Sequence, residues 1–240
     1  MADDGVLLTE DDGGVRLLTL NRPAAKNAFN DDLYHALRQA LDDARVDPAV
    51  AVCVVTGAGD TFSAGQDLKV LATFLDDPQA GKAFGPFTQA LTAFDKPLLA
   101  AVNGAAVGVG TTMLLHCDLV LVSESARFKL PFVSLGLVPE AGSSVLLPAV
   151  IGPQAAGHLL FTGGWMDAPE SVARGLAWKL VPAGRLLEET LALARQIAAA
   201  PVENLVACKR MLLAARADAV SAALAREQGE LDRIVARLRG

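Results

Sequence analysis

Paired cysteines, clustered histidines and an excess of positive charge are all missing from this chain of 240 residues. Cys53, Cys117 and Cys208 stand far apart in apolar stretches and, being three, cannot all pair. That excludes a disulfide scaffold and predicts reduced, buried thiols in a cytoplasmic protein. No Cys-x-x-Cys occurs, and His35, His116 and His158 share no ligand spacing with one another or with an acid, so no metal site is expected. The 21 Lys and Arg residues are scattered and the formal net charge is -6, which argues against a nucleic-acid partner. The few basic groupings, Lys209-Arg210, Arg237 and Arg239, read as solvated helix faces. There is no Gly-Lys-Ser/Thr loop, and the turns at Gly57 and Gly108 each miss the third glycine of the dinucleotide fingerprint, so no nucleotide cofactor is expected. The acidic start, Met-Ala-Asp-Asp-Gly, lacks the pattern of a signal or transit peptide. The uncharged run from Pro97 to Cys117 is long enough to span a bilayer, but Pro97, Asn103, Gly104, Gly108, Gly110 and His116 interrupt it. A buried strand, turn and helix are expected there, and no membrane association.

What is present is a large apolar fraction, 52% hydrophobic against 20% charged, enough to bury the core of an α/β domain with a helical extension. Val15–Leu20 reads as a strand closed by the turn signal Asn21-Arg-Pro-Ala. A helix should follow, with Asn30 as its cap, Asp31 and Asp32 at its positive end, and Leu33, Leu37 and Leu41 on one apolar face. The run Val50–Thr56 is short, β-branched and uncharged, which predicts a strand buried on both faces. Two buried strands are each followed by a glycine-rich turn and a helix, over Thr56–Leu68 and Val102–Gly110, a repeated supersecondary unit. Residues 72–86 read as a flexible connection. Beyond Leu186 the pattern is helical, broken at Pro201, and needs a surface to pack against; the expected division is a core over 1–186 and a helical region over 187–240.

One carboxylate stands apart. Between Glu124 and Asp167 the chain carries a single acidic residue, Glu140, in the apolar run Leu135-Gly-Leu-Val-Pro-Glu-Ala-Gly-Ser-Ser144. An ionised carboxylate in such surroundings loses several kcal/mol of solvation unless it is paired, which marks it as a base or as a structural acceptor. Glu140 either accepts N–H bonds from Gly142 or Ser143 at a helix start or serves as a catalytic base. Ser143 and Ser144 either orient it or cap the helix at Val145. Asn103 reads as a turn-stabilising side chain. The glycine-rich turns can present unpaired N–H groups to an oxygen that becomes negative.

These residues, in order, resemble the crotonase, or enoyl-CoA hydratase/isomerase, family over nearly the whole chain. The matching pieces are Leu20-Asn-Arg-Pro-Ala-Ala-Lys-Asn-Ala28, Phe62-Ser-Ala-Gly-Gln-Asp-Leu68, Ala100-Ala-Val-Asn-Gly-Ala-Ala-Val-Gly108, Cys117-Asp118, Leu135-Gly-Leu-Val-Pro-Glu140 and Phe161-Thr-Gly-Gly164. The resemblance implies an α/β spiral of repeated strand-strand-helix units with a C-terminal helical trimerisation region, a homotrimer or hexamer, and an acyl-CoA thioester as substrate in lipid metabolism such as fatty-acid β-oxidation. It implies no further cofactor.

Carried onto this sequence, the resemblance makes the Gln66 and Val109 N–H groups the donors to the thioester oxygen. Lys26, Ala28, Ala64, Gly65, Asp67, Leu68, Gly108 and Phe132 become candidate substrate-binding residues, Asp67 as a pin for the first turn and Lys26 as a phosphate contact. Asp118 is expected to anchor the strand that follows. The positions of the two hydratase glutamates hold Thr112 and Phe132, neither of which transfers a proton usefully at neutral pH. Glu140 matches the glutamate of the delta-3, delta-2-enoyl-CoA isomerase branch. The activity implied is movement of a double bond from position 3 to position 2. Hydration, another crotonase reaction such as thioester hydrolysis or decarboxylation, and a non-catalytic acyl-CoA binder are the alternatives.

Overall fold

The computed structural model describes residues 5–73 and 82–239. The chain opens with the antiparallel hairpin β1 (Leu7–Asp12) and β2 (Val15–Leu20), followed by helix α1 (Asp31–Val46). The Asn30 side chain accepts from the Leu33 N–H at 3.1 Å, Asp31 and Asp32 occupy the first turn, and Leu33, Leu37 and Leu41 are buried, as the sequence pattern predicts. Lys96 completes the other end of this helix, its ammonium donating to the carbonyls of Ala44, Asp47 and Val50 at 2.7 Å each.

The chain then repeats itself. Strand β3 (Val52–Gly57) is followed by β4 (Thr61–Ser63) and helices α2 (Leu68–Thr73) and α3 (Phe84–Ala93). Strand β5 (Leu98–Val102) is followed by β6 (Ala105–Val107) and α4 (Val109–Thr112), which runs on as the 3₁₀ turn Met113–His116. A third pair, β7 (Leu119–Ser123) and β8 (Arg127–Lys129), continues the series. In each pair the first strand enters one sheet and the second enters another. The larger sheet has the order β1-β2-β3-β5-β7 and the smaller begins β4-β6-β8, with parallel pairing between successive pairs. This is the spiral of strand-strand-helix units.

Helices α5 (Ser143–Ile151) and α6 (Pro153–Thr162) lead to β9 (Trp165–Asp167), which closes the smaller sheet antiparallel to β8. Helix α7 (Ala168–Arg174) and strand β10 (Lys179–Val181) complete the larger sheet beside β7, and α8 (Leu186–Ala198), α9 (Val202–Ala214) and α10 (Ala217–Arg239) end the chain.

All six residues of β3 are buried because both of its faces are covered. Cys53 and Val55 join the main core with α1 and α3, whereas Val52 and Val54 meet Ala194 of α8 on the opposite face. Helix α8 therefore supplies the second cover of the sheet from within the same chain. The ladder of β3 starts two residues later than the apolar run because the Val50 N–H bonds Asp47 instead.

Several expectations need correction. Of the connection expected over 72–86, residues 74–81 lie outside the described residues, while both ends are helical, in α2 and α3. Lys209 is not on a solvated face: it is buried and its ammonium reaches Asp118 at 2.6 Å, while Arg210 pairs with Asp95 at 2.7 Å. Asp118 also accepts from the Leu98 N–H at 2.8 Å, so it anchors the start of β5 and ties α9 to it. Cys53 is buried, but Cys117 is half-buried and Cys208 exposed. The C-terminal helices break at 215–216 as well as at Pro201. Among the described residues no helix is long and apolar enough to cross a membrane.

Candidate active site

Two backbone turns form the floor of the candidate site. The first follows β4. Phe29, just ahead of α1, brackets Gln66 as a parallel bridge: its N–H donates to the Gly65 carbonyl at 2.7 Å and its carbonyl accepts from Asp67 at 2.8 Å. Successive N–H groups of an extended segment point to opposite sides, so the Gln66 N–H faces away from Phe29. Asn27, fully buried with φ 53°, holds the turn from beneath. It accepts from the Arg22 N–H at 2.9 Å and donates to the carbonyls of Ala58 and Thr61 at 2.8 and 2.7 Å. The Ser63 hydroxyl donates to the Asn27 carbonyl at 2.9 Å and accepts from the Gly65 N–H at 3.1 Å. The Arg22 guanidinium bonds the Ala28 carbonyl and pairs with Asp67 at 3.2 Å, and Asp67 also accepts from the Lys69 N–H at 3.1 Å. Asp67 thus pins this turn and starts α2.

The second turn follows β6. Gly108 takes φ 52° and ψ -121°, a conformation closed to residues with a side chain, and its carbonyl accepts from Thr111 and Thr112 to begin α4. Val109 is the first helical residue, so its N–H has no acceptor within its helix. The turns lie against each other. A Cβ added at Gly65, where φ is +87°, would sit 2.6 Å from the Val107 carbonyl oxygen and 3.7 Å from Gly108 Cα. Asn103 secures the loop behind them, donating to the carbonyls of Gly57 and Gly59 at 2.9 Å, the turn-stabilising role read from the sequence.

Glu140 lies near enough to act electrostatically on Tyr34, which bonds the first turn. The Tyr34 hydroxyl, on the buried face of α1, donates to the Gln66 side-chain oxygen at 2.7 Å. Burial holds its phenol well above its ordinary pKa, and the nearby Glu140 carboxylate adds to the effect, so the hydroxyl keeps its proton for Gln66. Glu140 itself is half-buried and, among the described residues, its carboxylate makes no hydrogen bond or ion pair. Burial pushes its pKa up to about 8, with the negative charge of Glu227 contributing in the same direction.

The loop behind Glu140 is held by residues distant in sequence. Ala141 and Gly142 both take left-handed conformations, φ 57° and 73°. The Ala141 carbonyl lies 2.8 Å from Nε2 of His116, whose buried ring is driven down to a pKa of about 4 and stays neutral. The Gly142 and Ser144 N–H groups donate to the Glu227 carboxylate at 2.8 and 2.9 Å. Two of the alternatives left open by the sequence are excluded here. The Glu140 carboxylate takes none of the N–H groups at the start of α5: those of Gly142 and Ser144 go to Glu227, and that of Ser143 goes to the Glu140 backbone carbonyl at 2.9 Å. Nor do Ser143 and Ser144 cap the helix: it starts at Ser143 with Gly142 as its cap, and the buried Ser143 hydroxyl has no partner among the described residues.

The remaining candidates divide. Ala64, Gly65, Asp67 and Gly108 form the two turns. Lys26 is exposed with φ 51° and enters through its backbone, its carbonyl accepting from Ala64 at 2.9 Å. Ala28 is buried beside Arg22, and Leu68 leaves 69% of its surface open at the head of α2. Phe132 and Thr112 are both buried, and the Thr112 hydroxyl has no partner among the described residues. Sequence reasoning missed Tyr34, Asn27, Arg22 and Glu227. The lone tyrosine could have been found, since it shares an apolar face with Leu33 and Leu37 and a buried phenol needs a partner. Glu227 carries no such signal, being one of several acids in a helix of mixed charge.

A family model described as Enoyl-CoA hydratase/isomerase matches residues 10–238. The chain is 39% identical over 219 residues to a protein of Escherichia coli K12 named 2,3-dehydroadipyl-CoA hydratase, covering 89% of this chain and 84% of that one. It is 32% identical over 240 residues to the 1,2-epoxyphenylacetyl-CoA isomerase of the same organism, covering 98% and 90%. The crystal structure of enoyl-CoA hydratase/isomerase from Pseudoalteromonas atlantica T6c superposes with a TM-score of 0.90 at 37% identity, over 96% of this chain and 91% of that one.

Proposed function

The chain belongs to the enoyl-CoA hydratase/isomerase family, and we propose that within it the protein moves the double bond of an enoyl-CoA from position 3 to position 2, with Glu140 as the proton shuttle. The observation that carries this reading is one carboxylate, unpaired among the described residues and with a raised affinity for protons, set beside the Tyr34–Gln66 pair of the first turn. The positions where hydratases of the family carry their glutamates hold Thr112 and Phe132.

The substrate thioester oxygen accepts from the Gln66 and Val109 N–H groups. The Glu140 carboxylate removes a proton from C2, and the C–H electron pair moves into the thioester to give a dienolate with its charge on that oxygen. The protonated Glu140 then returns the proton to C4, leaving the double bond between C2 and C3. A base with a pKa near 8 is strong enough to take the proton and, once charged with it, acidic enough to give it back. Loss of one oxyanion donor in other enzymes costs about 2.7–4 kcal/mol of transition-state stabilisation. The buried Phe132 and Val109 keep water from the dienolate and disfavour hydration. Assembly into a homotrimer or hexamer is part of the same reading; sedimentation at equilibrium tests it, and a monomer overturns it.

The competing reading is hydration, favoured by the hydratase name of one E. coli relative. Trans-3-hexenoyl-CoA supplied to purified protein separates the two, with the conjugated 2-enoyl product followed spectrophotometrically and crotonyl-CoA hydration measured alongside. The expected result is isomerisation that falls about 10²–10⁴-fold in Glu140→Gln, the range typical of a lost acid–base group. Equal activity of wild type and variant, or hydration that outpaces isomerisation, sinks the assignment.

A further inference from the structure

A carboxylate placed three residues before a helix is in reach of that helix's free N–H groups, and a carboxylate that accepts two or three such bonds becomes a very weak base. Glu140 stands in that place before α5. The bonds it would make are instead made by Glu227, 85 residues from Gly142, whose two oxygens accept from Gly142 and Ser144. Glu227 is buried, and α10 is seated around it: Val220 and Ala223 are buried, and the Arg216 guanidinium donates to the Leu115 carbonyl at 3.1 Å. Val220 also closes on Gly142, where an added Cβ would meet it at 3.3 Å.

We propose that Glu227 is the positioning residue for Glu140: by occupying the Gly142 and Ser144 N–H groups it locks the left-handed Ala141–Gly142 turn and leaves the Glu140 carboxylate unpaired and free to exchange protons with substrate. This inference rests on the reading of Glu140 as the base. The pairing is also electrostatic, since the Glu227 charge raises the proton affinity of Glu140. Other groups facing the loop do not replace it. Tyr34 on α1 is protonated, with Asp31 acting on it from the same helix; His116 behind Ala141 is neutral; Lys209 is paired with Asp118; Arg216 is turned to Leu115; and α5 carries no charged residue.

The test uses the full chain with ¹³C-labelled glutamate carboxyls, the Glu140 resonance assigned by its loss in Glu140→Gln. In wild type Glu140 should titrate near pH 8. In Glu227→Gln, which keeps one acceptor oxygen but no charge, the midpoint should fall by about one pH unit, the order of effect of one neighbouring like charge, and the rising limb of kcat/KM for 3-enoyl-CoA isomerisation should move by the same amount. Glu227→Asp, which retains the charge but withdraws it from the N–H groups, should shift the midpoint less and is the substitute if Glu227→Gln does not fold. A wild-type midpoint at the ordinary carboxylate value, or a midpoint unmoved in a folded Glu227 variant, overturns the proposal. The titration needs no turnover, so absence of isomerase activity defeats the functional reading alone and leaves this inference to be decided by the NMR data.

Discussion

The turn around Gln66 and the Glu140 loop belong to the same candidate site, yet they are built in different ways. The turn is a closed set of mutual contacts between two segments, 22–29 and 58–67, in which Arg22, Asn27, Phe29, Ser63 and Asp67 bind one another and one another's backbone. The loop around Glu140 depends on His116 from the preceding repeat and Glu227 from the last helix, contacts 25 and 85 residues away. On the proposed reading, the group that stays fixed during reaction is over-determined by its neighbours, whereas the group that changes protonation state has the N–H groups near it taken by another residue. This separation makes rigidity and reactivity independently testable.

The strongest way to break the comparison is Gly65→Ala. The new Cβ would meet the Val107 carbonyl at 2.6 Å on a backbone with φ +87°, so the turns must separate. Isomerisation should fall by about 10²–10³-fold, the cost of one lost donor, and thermal stability should fall with it. Glu140→Gln should lose activity without losing stability; if the two variants behave alike in a melting series, the distinction between the regions fails.

A second contrast lies in pH. Glu140 in the folded protein holds its proton up to about 8, above the ordinary carboxylate value of 4.5, so between these values the folded state carries one proton more than the unfolded. Stability therefore falls as pH rises through that window, levels off above it, and Glu140→Gln removes the effect. The melting temperature of the variant should exceed that of wild type by a margin that widens from pH 4.5 to 8; a constant margin would mean that Glu140 titrates normally.

Asn27→Ala leaves the Arg22 N–H and the carbonyls of Ala58 and Thr61 without their buried partner, and should cost about 1–3 kcal/mol in denaturant unfolding. The smallest effect belongs to Ala141→Gly, which relieves a left-handed alanine and should stabilise the protein by about 1 kcal/mol. Its kcat should drop, because the loosened loop no longer fixes Glu140. A gain in both stability and rate would show that the strain plays no part in positioning.

Much of the fold was legible before any coordinates. Strand β2, the Asn30 cap and the Leu33-Leu37-Leu41 face of α1 follow from local rules, as do β5 and α4 in the Pro97–Cys117 run, whereas β6 lies where only a turn is expected. Lys209 reads as solvated because a basic pair on a helix normally faces water, and its partner Asp118 is 91 residues away. Glu140 stands out in the sequence as an isolated carboxylate, but its two local readings, cap or free base, are indistinguishable from spacing.

Local chemistry thus determined the elements, the two glycine turns and the identity of the isolated carboxylate, because propensity, capping and backbone freedom act over a few residues. Only the tertiary structure decided which acid caps α5, which hydroxyl meets Gln66 and how far Glu140 departs from an ordinary carboxylate. The reason is physical: desolvation and competition for a free N–H depend on what the rest of the chain brings alongside, and no short stretch of sequence contains that information.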